Sequence, residues 1–475
     1  MTLQTDVLPP RWLDLFARDH LAHSLILGGG VVLHALNIFI STTILPSIVR
    51  DIGGLDYYAW STTLFVVASI VSAALTSRLK SALGARNAYL VALGLFALGT
   101  ILCGAAGNIA FLNFGRTIQG AGGGLLYALA YTVIRSVFPE RLWAIAIGLI
   151  TMMFGVSTLL GPALGGYFAE IGQWRMAFFA LLPVVLAIAV LSVAKLSGTK
   201  TEDEHAAPIP ALQLALLIGI VLSVSLASAQ PDRLTVLAAT GGSLLLAAAA
   251  CWIETRSRGR LLPRGALNPL SELGALYLCV AFLLIGMQPE TFIPFFLQSL
   301  FGQSPLVAGY IGALMALGWT VGSMVSAGFT GARARRTILQ GALLSFFGLL
   351  IQLLLLPSGG GSPGALAAVC LGLALVGFGI GFCWPHLTTQ IYKTSPAGET
   401  DLAAGAITTV QMFATAFGAA LAGLTVNAAG LVEPGGVEGI SAAAFWMCLL
   451  FLLAPALAGL CALQFLKHNA QRETD

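Results

Sequence analysis

The chain has 475 residues, of which 57% are hydrophobic and 9% charged, with a formal net charge of +3 and a mean hydropathy of +0.90. No soluble core needs that much apolar surface, so a water-soluble enzyme or a nucleic-acid-binding protein is excluded. The apolar residues fall into runs of bilayer length, and a spanning helix needs roughly 20 such residues because lipid offers no partner to a bare backbone N–H or C=O. The reading is an all-α polytopic membrane protein.

In chain order, residues 1–23 lack the apolar centre of a cleavable signal peptide. Trp12, Leu15 and Phe16 instead fall at helical spacing beside Arg11, Arg18 and Asp19, which suits a cytoplasmic segment with a short interfacial helix or an irregular tail. Fourteen spans follow, at 24–49, 57–79, 87–107, 110–137, 142–169, 175–195, 208–229, 234–254, 272–300, 305–330, 337–356, 364–392, 402–428 and 440–466. Of the 23 Lys and Arg residues, 19 fall on the side of the termini, Arg116 lies within a span, and only Arg50, Arg175 and Arg233 fall on the opposite side. The positive-inside rule then places both termini in the cytoplasm of a multi-pass inner-membrane protein.

Two longer connections, residues 195–211 and 256–269, bracket the seventh and eighth spans and leave six spans on each side. A basic turn joins the second span to the third (Leu83 to Arg86), and another joins the tenth to the eleventh (Gly331 to Arg336). This fits two repeated six-helix bundles around a central cavity, over 24–195 and 259–466. Residues 196–258 form a linker with two inserted helices, and 467–475 a cytoplasmic tail. The seven cysteines lie in apolar runs without a C-x-x-C and read as packing residues. No metal-ligand cluster and no phosphate-binding Gly-Lys pair are present, so ATP drive, cofactor chemistry and enzymatic activity are not expected.

Several stretches carry a family resemblance. They are Arg116-Thr-Ile-Gln119-Gly120, Gly155 to Gly166 with Gly161-Pro162 and Gly165-Gly166 inside it, Trp174-Arg175 with Phe178, Leu36-Asn37 with Leu45-Pro46, and Leu297-Gln298 through Gly309. Together they resemble the major facilitator superfamily, specifically its 14-helix drug–proton antiporter family. The resemblance implies a secondary transporter that exports an amphipathic drug-like molecule or metabolite in exchange for protons, as a monomer. Two departures stand out. The family's first-span Asp is Asn37 here. Its charged loop after the second span reads Ser77-Arg78-Leu-Lys80-Ser81-Ala82-Leu83-Gly84, with Arg86 following. Asn37 leaves open a proton-uncoupled facilitator, and the altered loop leaves open a non-transporting receptor or scaffold.

The candidate residues follow from this. Glu290 is the one carboxylate deep within a span, beside Pro289 and near Pro294, which together imply a broken helix. Intramembrane acids are functional by default, so Glu290 is the candidate proton site, where a single acid suits a lipophilic cation. His34, nearly on the face of Asn37, is the second. Asn37, Arg116 and Gln119 are candidate cavity residues, with Tyr127, Tyr131, Phe292, Trp384, His386, Gln390 and Gln411. For the aromatic residues and for His386, packing is the competing reading. Gly155, Gly161, Pro162, Gly165 and Gly166 form a candidate gating or packing face, and Arg78, Gly84 and Arg86 a candidate cytoplasmic loop element.

Overall fold

The computed structural model describes residues 12–18, 20–198, 210–229, 232–257, 259–359 and 362–474. Arg11, Asp19 and residues 199–209 of the expected linker fall outside the described residues. The described chain is helical throughout, and twelve of its helices are long and apolar enough to cross a bilayer. One of these, residues 55–104, turns at Gly84 (φ 78°, ψ 163°) into two pieces of membrane length. A positive φ of that kind favours glycine. Ile109–Val137 is a further 29-residue helix that carries Arg116. The expected fourteen segments therefore each meet a helical unit.

These units are α1 (Leu21–Ile52), α2 (58–83), α3 (85–104), α4 (Ile109–Val137), α5 (Trp143–Glu170) and α6 (Trp174–Lys195) in the first half. The inserted pair is α7 (Ala211–Ala229) and α8 (Arg233–Arg256). The second half holds α9 (Glu272–Leu300), α10 (Pro305–Ser326), α11 (Gly331–Leu355), α12 (Pro363–Thr394), α13 (Thr400–Ala428) and α14 (Gly436–Thr474). Local chemistry sets several ends. Asn108, Asp232, Ser271, Ser304 and Ser362 each accept a hydrogen bond from a first-turn N–H, as capping residues do. Pro183 opens the second piece of α6. Pro289 and Pro294 bracket the break in α9, where a 3-10 turn, Gln288–Thr291, separates Glu272–Met287 from Ile293–Leu300. Proline lacks the N–H that a continuous helix needs there.

Glycine decides the packing order. A Cβ on Gly120 or Gly124 of α4 would strike the backbone of Phe65 and Ser69 on α2, and one on Gly122 would strike Phe96 of α3. α4 therefore lies between α2 and α3. The second half repeats the construction, since Gly377 and Gly381 of α12 abut the carbonyls of Met315 and Trp319 on α10, while Gly372 and Gly379 meet α11. Close approach of this kind is the main source of helix association where lipid supplies no hydrophobic drive.

α7 occupies the seam between the halves. Its Val221 and Val224 pack with Val67 of α2 and with Ala416 and Ala420 of α13. α8 touches little beyond α7, and its residues Leu234, Leu237, Leu244 and Leu245 are exposed.

Three expectations need correction. Glu254, which by its place near the end of the eighth expected span reads as an interfacial side chain, is instead buried, and its Oε1 accepts the N–H groups of Leu261 and Leu262 at 2.7 Å, folding the loop after α8 back on itself. The tail beyond 466 is not separate from the last span, since α14 continues through it to Thr474. The short turn Trp12–Leu15 docks rather than lying free. Leu15 is buried, its carbonyl accepts from Ser24 Oγ at 2.7 Å, and Asp14 pairs with Arg141 at 3.4 Å.

Candidate functional site

Two sites emerge, one in each half. The first is a buried polar network around Arg116. The α4 glycines let α1, α2 and α3 close around that residue, leaving it 2% exposed. Its Nη1 donates to Asn37 Oδ1 of α1 and to Gln119 Oε1, both at 2.7 Å. Its Nε donates to the Ser61 carbonyl of α2 at 3.3 Å, and the guanidinium lies 4.2 Å over the Phe65 ring. Gln119 Nε2 in turn donates to Thr100 Oγ1 of α3 at 2.9 Å, and Ser41 Oγ donates to Asn37 Oδ1 at 2.9 Å. Arg116 is therefore no snorkelling side chain. It ties together the first four helices through neutral oxygens.

His34 stands beside this network, stacked between Phe65 (5.5 Å) and Tyr127 (5.4 Å), and Tyr127 continues to Tyr131 (5.3 Å) and Phe154 (5.8 Å). Tyr131 is the exposed end of this ladder of rings, at 38%. The structure thus brings together His34, Asn37, Arg116, Gln119, Tyr127 and Tyr131. Sequence reading missed Phe65, Ser41, Ser61 and Thr100, which are ordinary helix residues until packing places them.

The second site is the broken centre of α9. Glu290 lies in the 3-10 turn, partly buried, and no hydrogen bond or ion pair reaches its carboxylate among the described residues. Gln288, beside it, packs on Gly418 of α13. Phe292 does not line an open cavity, because it is 1% exposed and stacks on Tyr58 of α2 at 4.7 Å. Trp384 packs against Trp319 at 5.1 Å. His386 bonds the Ser326 carbonyl at 2.9 Å and stacks on Phe329, an arrangement that fits a structural hydrogen bond between α10 and α12. Gln390 and Gln411 are partly buried. Among the described residues, no hydrogen bond or ring stack links these second-half residues to the Arg116 network.

The halves meet through contacts at the end remote from the termini. Tyr58 touches Phe292 and Phe295, Arg50 bonds Gln298, and Asn427 Nδ2 donates to the Asp56 carbonyl at 2.8 Å and to the Ser228 carbonyl of α7 at 2.7 Å. Trp60 Nε1 holds a second α7 carbonyl, that of Ser225, at 3.0 Å.

The small residues of α5 divide between two neighbours rather than forming one face. Gly161 abuts Phe39 and Gly165 abuts Ile40, both on α1, whereas Gly166 abuts Leu306 and Pro162 approaches Gly309, both on α10. Gly155 has nothing against it. Near the remote end of α1, Arg175 pairs with Asp51 at 2.7 Å while Trp174 Nε1 donates to the same carboxylate at 3.1 Å. In the loop after α2, Gly84 makes the turn and the Arg86 N–H donates to the Ser197 carbonyl at 3.0 Å. Arg78 is exposed, and Lys80 reaches the Thr132 carbonyl of α4 at 2.9 Å.

Comparison with known proteins agrees with this architecture. The family model of the Major Facilitator Superfamily matches residues 27–419. A protein of Mycobacterium tuberculosis named a probable multidrug-efflux transporter is 35% identical over 425 residues, covering 88% of this chain and 90% of that one. The multidrug transporter protein MdtP of Bacillus subtilis is 27% identical over 402 residues, covering 83% of this chain and 73% of that protein. Among solved structures, the POT family transporter PepTSo aligns with a TM-score of 0.66 at 12% identity, over 98% of this chain and 99% of that one. The nucleoside transporter NupG aligns with a TM-score of 0.64 at 13% identity, over 94% and 99%. On the family match, the 35% relative and the shared fold, this chain belongs to the major facilitator superfamily, whose members are multi-pass membrane transporters rather than enzymes.

Proposed function

We propose that the protein exports amphipathic small molecules from the cytoplasm in exchange for protons. Bodies 24–195 and 259–466 would rock about a midplane site, with 196–258 carried as the insert. The relative named a probable multidrug-efflux transporter supports the direction, and it and the multidrug transporter protein MdtP support the breadth of substrate. The observation that carries the coupling is Glu290, an acid without a partner at a break in a membrane helix. Such a group is expensive to keep in a bilayer, by about 2.5–3.5 kcal/mol on insertion scales, and marks ion or proton pathways. The small-residue contacts of α5 with α10, Gly166 against Leu306 and Pro162 against Gly309, support an alternating cycle, because they lie on the boundary that would open. Both termini in the cytoplasm and a monomeric state belong to the same reading.

Asn37 favours a second reading, a proton-uncoupled facilitator. The side chain facing Arg116 cannot titrate, so the Arg116 network offers no carboxylate for coupling. Substrate uptake into inside-out vesicles separates the two. Antiport predicts accumulation that follows an imposed pH gradient. Equal flux with and without the gradient identifies a facilitator, and no flux removes the transporter reading altogether.

A further inference from the structure

The kind of molecule carried can be read from the Arg116 network, on the basis of the transport reading. Arg116 is a buried cation whose partners are an amide oxygen of Asn37, an amide oxygen of Gln119, a backbone carbonyl and a ring face. None of these bears a negative charge. The ion pairs of Asp14, Asp51 and Glu399 lie elsewhere. A charge removed from water is ordinarily paired, because neutral dipoles return only part of its hydration.

A second observation points the same way. Asn37 is wholly buried, and its Oδ1 is fixed by two donors, Arg116 Nη1 and Ser41 Oγ. That orientation leaves Asn37 Nδ2, a strong donor, enclosed with no acceptor. His34 Nδ1, one helical turn away, is likewise enclosed without a partner. The excess in this network is of positive charge and of an unpaired amide donor, which an anionic oxygen would satisfy and a cationic drug would not. Leading to it is the ladder Tyr131, Tyr127 and His34, which runs from the exposed end inward.

We infer that Arg116 and Asn37 Nδ2 form the anion-recognising end of the substrate site, and that the transported molecule joins a carboxylate or similar anionic group to an aromatic body. In the present conformation the donors are closed off, so the group reaches them when the ring ladder shifts during the cycle. Glu290, in the other half, stays free to serve the proton.

The test uses the purified full-length protein and three probes of one shape, 2-naphthoate, 2-naphthamide and 2-naphthylmethylammonium, with binding followed by equilibrium dialysis. The acid should bind at least about tenfold tighter than the amide, as expected for one charge-assisted hydrogen bond, and the ammonium most weakly. Asn37→Asp supplies the missing carboxylate internally and Arg116→Gln removes the cation, so each should erase the preference for acid over amide. A parallel arm measures thermal unfolding in sodium chloride and in sodium gluconate. Chloride-dependent stability that disappears in Asn37→Asp, with no preference for 2-naphthoate, would keep the anion site and assign it to a small inorganic ion. If the wild type shows neither preference, or the acid preference survives in Asn37→Asp, the inference is overturned; these wild-type measurements need no variant to fold. Proton-driven export of ethidium without any acid preference would sink this inference while leaving the transporter reading in place. A protein that binds 2-naphthoate selectively yet moves nothing would do the reverse.

Discussion

Gly166 and Gly161 are five residues apart on α5, yet their substitution should have different consequences. A Cβ at Gly166 would lie 2.5 Å from Leu306 Cα and 3.0 Å from Leu306 Cβ, across the boundary between the halves. A Cβ at Gly161 would strike Phe39 of α1, within the first half. Overpacking of this size costs about 1–3 kcal/mol. In Gly166→Ala the penalty falls on the state in which the halves meet at the remote end, and is relieved when they part. A bias of about 1–3 kcal/mol corresponds to about a 5- to 150-fold change in an equilibrium. In Gly161→Ala the penalty is present in both states, so it lowers stability and leaves the equilibrium in place. Spin labels on Leu55 and Val432, in a background lacking the exposed Cys251, report the remote-end separation by pulsed electron resonance. Gly166→Ala should move population to longer distances, and Gly161→Ala should not. Equal shifts in both variants, or none in either, would refute the assignment of the α5–α10 contact as part of the moving boundary.

Other outcomes rest on the same geometry. Asn427→Ala removes two hydrogen bonds that join α13 to the Asp56 and Ser228 carbonyls, each worth ~1 kcal/mol net. It should populate the separated state on the same pair of labels, and an unchanged distribution would show that α7 is not held by this side chain. Gly120→Ala and Gly122→Ala would drive a methyl into the backbone of α2 and α3. Each should lower the unfolding temperature well beyond Gly94→Ala, which meets nothing within 4 Å; three similar values would argue that α4 does not pack as described. For topology, an impermeant thiol reagent added outside the cell should label cysteine introduced at Asp232 or Gly435 and spare one at Asp203, and labelling at 203 would invert the arrangement.

Sequence was most informative where lipid imposes a rule. Span positions, the broken α9 and the turn at Gly84 were legible because bilayer length, proline and positive φ each leave a local mark. Arg116 and Gln119 stood out as polar residues in an apolar helix, but their partners did not. Ser61, Phe65 and Thr100 look like any other span residues, and only the glycine-controlled approach of α2, α3 and α4 brings them to Arg116. The α5 glycines show the same limit, since spacing alone does not say which neighbour each faces. Phe292 looked like a cavity aromatic and is instead half of a ring pair closing the remote end, because its partner Tyr58 lies far away in sequence. The insertion was visible as two extra spans, whereas its place between α2 and α13 depends on Val221, Val224, Trp60 and Asn427 meeting across three segments of the chain.

The proposed coupling rests on Glu290 and is tested most directly by one comparison. Wild type and Glu290→Gln are placed in proteoliposomes, and export of a fluorescent amphiphile is measured against an imposed pH gradient. Glutamine keeps the size and hydrogen-bonding capacity of the acid and cannot exchange a proton. The account predicts that the wild type concentrates the amphiphile in proportion to the gradient, while the variant loses concentrative export and retains downhill exchange. Accumulation by Glu290→Gln that still scales with the gradient would contradict it and move the coupling elsewhere, with His34 the first group to examine.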